Sequence, residues 1–273
     1  MRGYLGAESP IAHMVSLRFS DAELDTRRAQ ITSFMSDQVE AADTDGVVLG
    51  LSGGIDSSLT AVLAVEALGA ESVFGLSLPA AVSAEQHQSD ADRLAEQLGI
   101  HYDVIDIEPI VHTIDEAFPD GSMGTFARGN ARARVRAVLN YALANDENRL
   151  VIGTGNRTEA LVGYFTKFGD GAVDCHPIGN LYKCQVRQLA RAVGVPDDII
   201  EKSPTAELWE DQTDEEELGI AYDTLDRILA LHVDGPFSAS ATADAANCSV
   251  ATVERVVQIV TTSEHKRRVP PTP

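Results

Sequence analysis

Val47-Val48-Leu49-Gly50-Leu51-Ser52-Gly53-Gly54-Ile55-Asp56-Ser57-Ser58 decides how this chain folds. Val47 to Leu51 is a short apolar run between Gly46 and a glycine pair, the pattern of a central strand in a parallel sheet. From Ile55 onward Leu59, Val62, Leu63, Val65 and Leu68 recur at helical spacing, and Gly69 ends them. Between strand and helix lie two small flexible residues flanked by hydroxyls. Such a turn directs backbone N–H groups and a helix N-terminus toward one point, which suits phosphate. The lysine of a Gly-Lys-Ser/Thr loop is absent, and Asp56 stands in its place. An acid beside phosphate is useful if it holds a metal ion that also binds the phosphate oxygens. The plainer reading is a tight strand-to-helix turn whose Asp56 is favoured by the helix dipole.

Upstream, Ser20-Asp21-Ala22-Glu23 is a capping box that opens a helix reaching about Ala42, and residues 1–19 read as a surface arm. Downstream, strands are expected at 72–78, 101–107 and 150–153. Helices are expected from a second capping box at Ser83-Ala84-Glu85-Gln86 to Gly99, from Pro109, and over 127–145. This alternation predicts an α/β fold, a doubly wound parallel sheet with helices on both faces. The glycine turn then lies at the C-terminal end of a strand, where open α/β sheets bind ligands. Residues 155–180 carry less regular structure, and their glycines, aromatics and single lysine mark a functional loop. Helices follow over 182–193, 219–231, 241–246 and 250–262. The last pair has the outline of a helix-turn-helix, but its second helix carries only Arg255 as a base before the terminal 264–268 segment. With no repeat and no low-complexity linker, the 273 residues read as a single domain.

The formal net charge of −21 argues against nucleic acid or an anionic membrane as partner, since both select basic surfaces. Only four of the 21 Lys and Arg residues are lysines, and an acidic, lysine-poor surface suits a protein kept soluble in high salt. No apolar run is long enough to span a membrane and no signal pattern opens the chain, so a cytoplasmic protein is expected. Cys175, Cys184 and Cys248 form neither a disulfide framework nor a zinc pattern.

The block Ser52-Gly53-Gly54-Ile55-Asp56-Ser57 resembles the pyrophosphate-binding loop of the ATP pyrophosphatases. Three further blocks narrow the resemblance to the NAD synthetases: 129–134, Gly153-Thr154-Gly155-Asn156 with Glu159, and Gly163-Tyr164-Phe165-Thr166-Lys167-Phe168-Gly169-Asp170-Gly171 with Asp174. So do Leu181-Tyr182-Lys183, Pro204-Thr205-Ala206, Asp214-Glu215 with Leu218-Gly219, and His265-Lys266-Arg267. The similarity runs in order from about residue 20 to 269.

The resemblance implies an adenine-nucleotide hydrolase-like fold and an ATP-dependent amidation of deamido-NAD to NAD. The pyridine carboxylate attacks the α-phosphate, pyrophosphate leaves, and ammonia displaces AMP from the acyl-adenylate. It implies ATP contacts from Gly50, Leu51, Ser52, Gly53, Gly54, Ile55, Asp56, Ser57, Thr154, Lys183 and Thr205. Arg134, Lys167, Asp174, His265 and Lys266 match positions that meet deamido-NAD. Asp56 and Glu159 match Mg2+ ligands, and with Lys183 they form the implied catalytic set. The family also implies a homodimer. Free ammonia is the expected nitrogen donor, because no cysteine precedes Cys175 to act as an amidase nucleophile. Two other readings compete. One is an ATP pyrophosphatase that activates a different carboxylate; the other is a non-catalytic nucleotide-binding module, which would need neither Asp56 nor Glu159.

Overall fold

Side chains alternate across a strand, and the central apolar run uses both sides. In a computed structural model, which describes residues 17–80, 85–119, 122–202 and 214–273, that run forms β1 (Val47–Gly50). Val47 and Leu49 enter one core while Val48 enters another on the opposite face. Burial on both faces is what a near-continuous apolar strand requires. β2 (Val73–Ser77), β3 (His101–Val104) and β4 (Leu150–Val151) complete a four-stranded sheet among the described residues, in the order β3-β2-β1-β4. Every pairing is parallel, with Val47 opposite both Val73 and Leu150.

The helices that cover this sheet follow from the same alternation. α1 (Asp21–Ala42) begins at the expected capping box, with Ser20 and Glu23 bonded reciprocally. α2 (Ile55–Leu68) and α7 (Lys183–Ala192) supply Leu59, Leu63, Val186 and Leu189 to the core that also takes Ile31 and Met35 of α1. On the other face, α4 (Glu108–Glu116) and α5 (Thr125–Asp146) contribute Val111, Val135 and Ala144. α3 (Glu85–Leu98) packs beside α2, and the capping residues expected at 83–86 lie largely outside the described residues.

Two strands stop at least two residues short of the end their sequence pattern predicts. β3 ends at Val104 with three of its four residues exposed, because it is the edge strand and one of its faces is open. The chain beyond it still bonds to its neighbour, through Ile105 N–H to Ser77 and Ile107 N–H to Pro79. β4 stops at Val151, after which Ile152 pairs with Cys175 instead, so the 170s loop continues the sheet.

A third core lies beyond the C-terminal ends of the strands. α6 (Arg157–Val162), the short α9 (Asp214–Leu218) and α10 (Tyr222–Ile228) lead into α11 (Ala239–Ala246) and α12 (Val250–Thr262), while the short α8 (Asp197–Ile200) returns Ile199 and Ile200 to the first core. Val162, Tyr222, Leu225, Val253 and Val256 fill this core. The final helix α13 (Glu264–Arg267) is pinned, not frayed: Arg267 donates to the carbonyls of Ala160, Leu161 and Val260. A cation at those carbonyls satisfies orphan acceptors at the end of α6. Residues 17–19 are tied down as well, since Gln188 bonds Leu17 O and Phe19 N; the rest of the expected arm lies outside the described residues.

Candidate active site

The glycine turn closes on itself through hydroxyls. Gly53 adopts φ 76°, a conformation that disfavours other residues. Ser57 Oγ accepts from Ser52 N–H at 3.2 Å and donates to Gly54 O at 3.0 Å, while Ser52 Oγ accepts from Gly54 N–H at 3.3 Å. The result is a concave rim at the N-terminus of α2, with Asp56 in its first turn.

Three charged side chains meet beside it. Lys183, the first residue of α7 and 2% exposed, places Nζ 2.5 Å from Asp56 Oδ2 and 3.1 Å from Glu159 Oε1. Burial opposes the lysine's charge, but Asp56 and then Glu159 outweigh it and raise its pKa. Glu159 moves upward too, because burial and the Asp56 carboxylate together outweigh the lysine. The Lys183 ammonium also lies 5.3 Å above the Tyr222 ring.

Asn156 fixes both acids. Its side chain is completely buried: Nδ2 donates to Asp56 Oδ1 at 2.9 Å and Oδ1 accepts from Glu159 N–H at 3.0 Å. Glu159 Oε2 accepts in return from the Asn156 N–H at 3.2 Å, completing a capping box at the start of α6. From the third core, the buried Asp226 accepts from Thr158 Oγ1 at 2.6 Å and from Cys184 N–H at 2.8 Å. Thr158 Oγ1 accepts in turn from Lys183 N–H at 3.0 Å, so one carboxylate sets α6 against α7.

These groups line a cavity of about 360 Å³ at the C-terminal ends of β1 and β2. Its wall includes Gly50, Leu51, Ser52, Gly54, Ile55 and Asp56. It also includes Ser57, Thr154, Glu159, Lys183 and Lys266. Lys266 is held by Gly163 O at 2.7 Å and Phe165 O at 2.9 Å, and burial lowers its pKa.

The remaining expected residues lie to one side. Arg134 lines an adjoining groove with Tyr141 and Phe168, and it bonds Lys167 O at 3.2 Å. Lys167 Nζ donates to His265 O at 2.8 Å. Asp174 accepts from Val151 N–H at 2.7 Å and from Tyr141 O–H at 3.0 Å. The two hollows share Ala137 and Ala172 on their walls. Thr205 lies outside the described residues.

Sequence reasoning missed several residues that build the site. Asn156 could have been found as the first residue of an Asn-x-x-Glu capping box. Lys202, the one lysine that no motif claimed, lines the cavity and pairs with the buried Asp90. Asp226 gave no local signal, because its partners stand 68 and 42 residues away.

Whether two carboxylates suit Mg2+ can be judged from this geometry. Asp56 and Glu159 come from different helices yet converge closely enough to share one ammonium. Among the described residues no group of three His, Cys, Asp or Glu side chains could enclose an ion. A pair of hard oxygen donors without a full cage fits Mg2+, which takes its remaining ligands from phosphate and water.

Comparison with known proteins agrees in sequence and in shape. Residues 28–270 match the NAD synthase family. The NH(3)-dependent NAD(+) synthetase of Halobacterium salinarum is 56% identical over 259 residues, covering 95% of this chain and 97% of the relative. The NMN synthetase of Francisella tularensis superposes with a TM-score of 0.81 at 38% identity, covering 94% of this chain and 99% of that one. The NH3-dependent NAD synthetase of Campylobacter jejuni, solved with a nitrate ion, gives 0.76 at 29% identity over 91% and 98% of the two chains.

Proposed function

The chain belongs to the NAD synthase family, and from that premise we propose a division of labour for its cavity in the ATP-dependent amidation of deamido-NAD by ammonia. The observation that carries the reading is the meeting of Asp56, Glu159 and Lys183 beside a glycine turn at a helix N-terminus. A carboxylate is a poor electrophile, so it must first be given a leaving group. The pyridine carboxylate attacks the α-phosphate of ATP, and the bond to the β-phosphate breaks toward pyrophosphate. Ammonia then attacks the acyl carbon, and AMP departs with the electron pair of the broken C–O bond.

Each residue's proposed part follows from its chemistry. The N–H groups around Gly53 and Gly54 and the hydroxyls of Ser52 and Ser57 hold the pyrophosphate as its charge develops. Lys183 adds a cation fixed in place before reaction. Asp56 and Glu159 hold Mg2+; bound there, it would neutralise phosphate charge. Thr154 and Thr205 meet ATP, and Lys266 reaches the cavity from the C-terminal side. Arg134, Lys167, Asp174 and His265 receive the dinucleotide in the adjoining groove. Asp174, already accepting from Tyr141, has carboxylate capacity left for a ribose hydroxyl. This reading takes the whole chain as one functional domain, since the cavity is lined from both the sheet and the C-terminal helices.

A homodimer and a cytoplasmic location belong to the same proposal. Ile110, Ile114 and Phe118 form an exposed apolar stripe on and just beyond α4, and Phe126 and Val138 are exposed on α5. Exposed apolar side chains on two helices that pack together support self-association. Among the described residues no helix is long and apolar enough to cross a membrane.

The decisive assay combines the full-length protein with ATP, Mg2+ and ammonium chloride, and offers either deamido-NAD or the acid form of NMN. Equal amounts of NAD, AMP and pyrophosphate from the dinucleotide support the reading. Preference for the mononucleotide would move the protein to NMN synthesis, the activity named for the Francisella structure. ADP as product would end the adenylation mechanism. Light scattering tests the dimer, and a monomer would contradict it.

A further inference from the structure

A second carboxylate reaches the seam between α6 and α7, from outside the cavity. Asp234 accepts from Arg157 through both oxygens, Nε to Oδ2 at 2.7 Å and Nη2 to Oδ1 at 2.5 Å, and its Oδ2 also accepts from Tyr182 O–H. Arg157 is the first residue of α6 and Tyr182 caps α7, so their chain neighbours include Asn156 and Lys183. The guanidinium lies 5.8 Å from the Tyr182 ring and closes the cluster. Burial would raise the Asp234 pKa, but the bonds from Arg157 and Tyr182 outweigh it and hold it below the usual carboxylate range. Among the described residues of the cavity wall none of these three appears, so the cluster bears on the site from behind.

The backbone is shaped to bring Asp234 there. Asp226 and Asp234 are eight residues apart. In a regular α-helix, at about 100° per residue, their side chains would point about 80° apart. A π turn over Leu229–Val233, closed by Asp234 N–H to Leu229 O at 2.9 Å, places one extra residue in the helix. That residue sets Asp234 back by about 100°, to within about 20° of the Asp226 direction. The exit from the turn is fixed as well: a Cβ at Gly235 would lie 2.6 Å from Leu231 O, and His232 Nδ1 lies 2.6 Å from Phe237 O. Such turns interrupt a regular helix and are frequent at functional sites.

We propose that Asp234 is a positioning residue for adenylation: by clamping Arg157 to Tyr182 it fixes the starts of α6 and α7, and so the distance between Glu159 and Lys183. The proposal rests on the synthetase reading and deepens it. Asp226 bridges Thr158 to Cys184 and Asp234 bridges Arg157 to Tyr182, so two ties hold the helix starts that carry the acid and the ammonium. One bridge leaves a pivot, and the second removes it. A partly exposed ion pair adds little to stability, whereas the two-pronged bond of an arginine is directional.

The test reads the rate and the geometry in the intact protein. Asp234→Ala should slow pyrophosphate release about ten-fold or more at saturating ATP, deamido-NAD and Mg2+, since displacements on the order of 1 Å carry such costs. KM for deamido-NAD should not change, because Arg134 and Asp174 stand on other elements. Arg157→Lys keeps the charge and loses the fork, so it should slow release too. The double variant should be no slower than the slower single one, as expected when both residues act as one unit. In crystals of Asp234→Ala the separation of Lys183 Nζ from Glu159 Oε1 should exceed 3.1 Å. Variants that melt lower yet release pyrophosphate at the wild-type rate, measured well below their Tm, would overturn the proposal by reducing the clamp to a stabilising contact. So would an unchanged separation, or a raised KM for deamido-NAD with an unchanged rate. Should Asp234→Ala not fold, Arg157→Lys and Tyr182→Phe decide the matter, and wild-type release in both refutes the clamp. Failure of wild-type protein to release pyrophosphate with deamido-NAD would instead overturn the synthetase reading.

Discussion

Asn156→Ala removes a buried side chain that, like Lys183, touches both candidate metal-binding acids. Two interactions disappear: the cap on Glu159 N–H and the bond to Asp56 Oδ1. Loss of an N-cap costs about 1 kcal/mol. A hydrogen bond to a charged acceptor contributes about 1.5–3 kcal/mol. Asp56 is 18% exposed, so water recovers part of that second amount. The expected destabilisation is therefore about 2–3 kcal/mol, or a fall in Tm on the order of 5–10 °C for a domain of this size. Asn156→Asp distinguishes stability from chemistry. Its carboxylate still accepts from Glu159 N–H, but it opposes Asp56 where an amide donor stood 2.9 Å away. That variant should lose less of the cap and more of its pyrophosphate release than Asn156→Ala. Calorimetric melts and a pyrophosphate-release assay without ammonium measure the two effects. An alanine variant with Tm within about 2 °C of wild type and full adenylation would refute the reasoning.

Asp56→Ala should reduce pyrophosphate release on the order of 100-fold or more while the far-ultraviolet spectrum stays native, since Glu159 still accompanies Lys183; wild-type turnover would remove Asp56 from the metal site. His176 packs against Gly153, and burial holds its pKa below the ordinary 6.5. As pH falls through about 6.5 the unfolded chain takes up this proton before the folded one does, so stability is full above that value and declines below it. His176→Gln should flatten that upper part of the acid limb in a pH series of denaturant melts, and an unchanged limb would mean that other groups control it. With net charge −21 and a relative in Halobacterium salinarum, the protein should gain stability as KCl is raised through the molar range. Full stability in dilute buffer would sink the salt-adaptation reading.

What was legible in the sequence follows from how local each signal is. The run from Val47 to Ser58 encodes its strand, turn and helix within twelve neighbouring residues, and all three form where the pattern puts them. β3 was over-read because apolar alternation through Ile107 does not reveal that the strand lies at an edge with one open face. β4 was over-read because the pairing of Ile152 with Cys175 depends on a loop without strand periodicity. Asp56, Glu159 and Lys183 could be named from motifs, yet no motif predicts that their charged ends approach within 3.1 Å. Asp214 was visible only as part of a block, since its bond from Tyr222 and its place on the cavity wall exist only once the chain is folded.

The buried Asp226 shows why the C-terminal helices belong to the chemistry and are more than an appendage. An apolar contact between α6 and α7 would permit small slides at little cost, because dispersion and hydrophobic burial are not directional. A carboxylate that accepts from Thr158 Oγ1 and Cys184 N–H fixes two directions at once. Those partners are chain neighbours of Glu159 and Lys183, so the angle between acid and ammonium is set from α10. Burial raises the pKa of Asp226, and the bonds from Thr158 and Cys184 oppose it, the balance expected when a charged acceptor is kept inside for its geometry. The glycine turn supplies the cradle, but the charges that work in it are positioned from the far end of the chain.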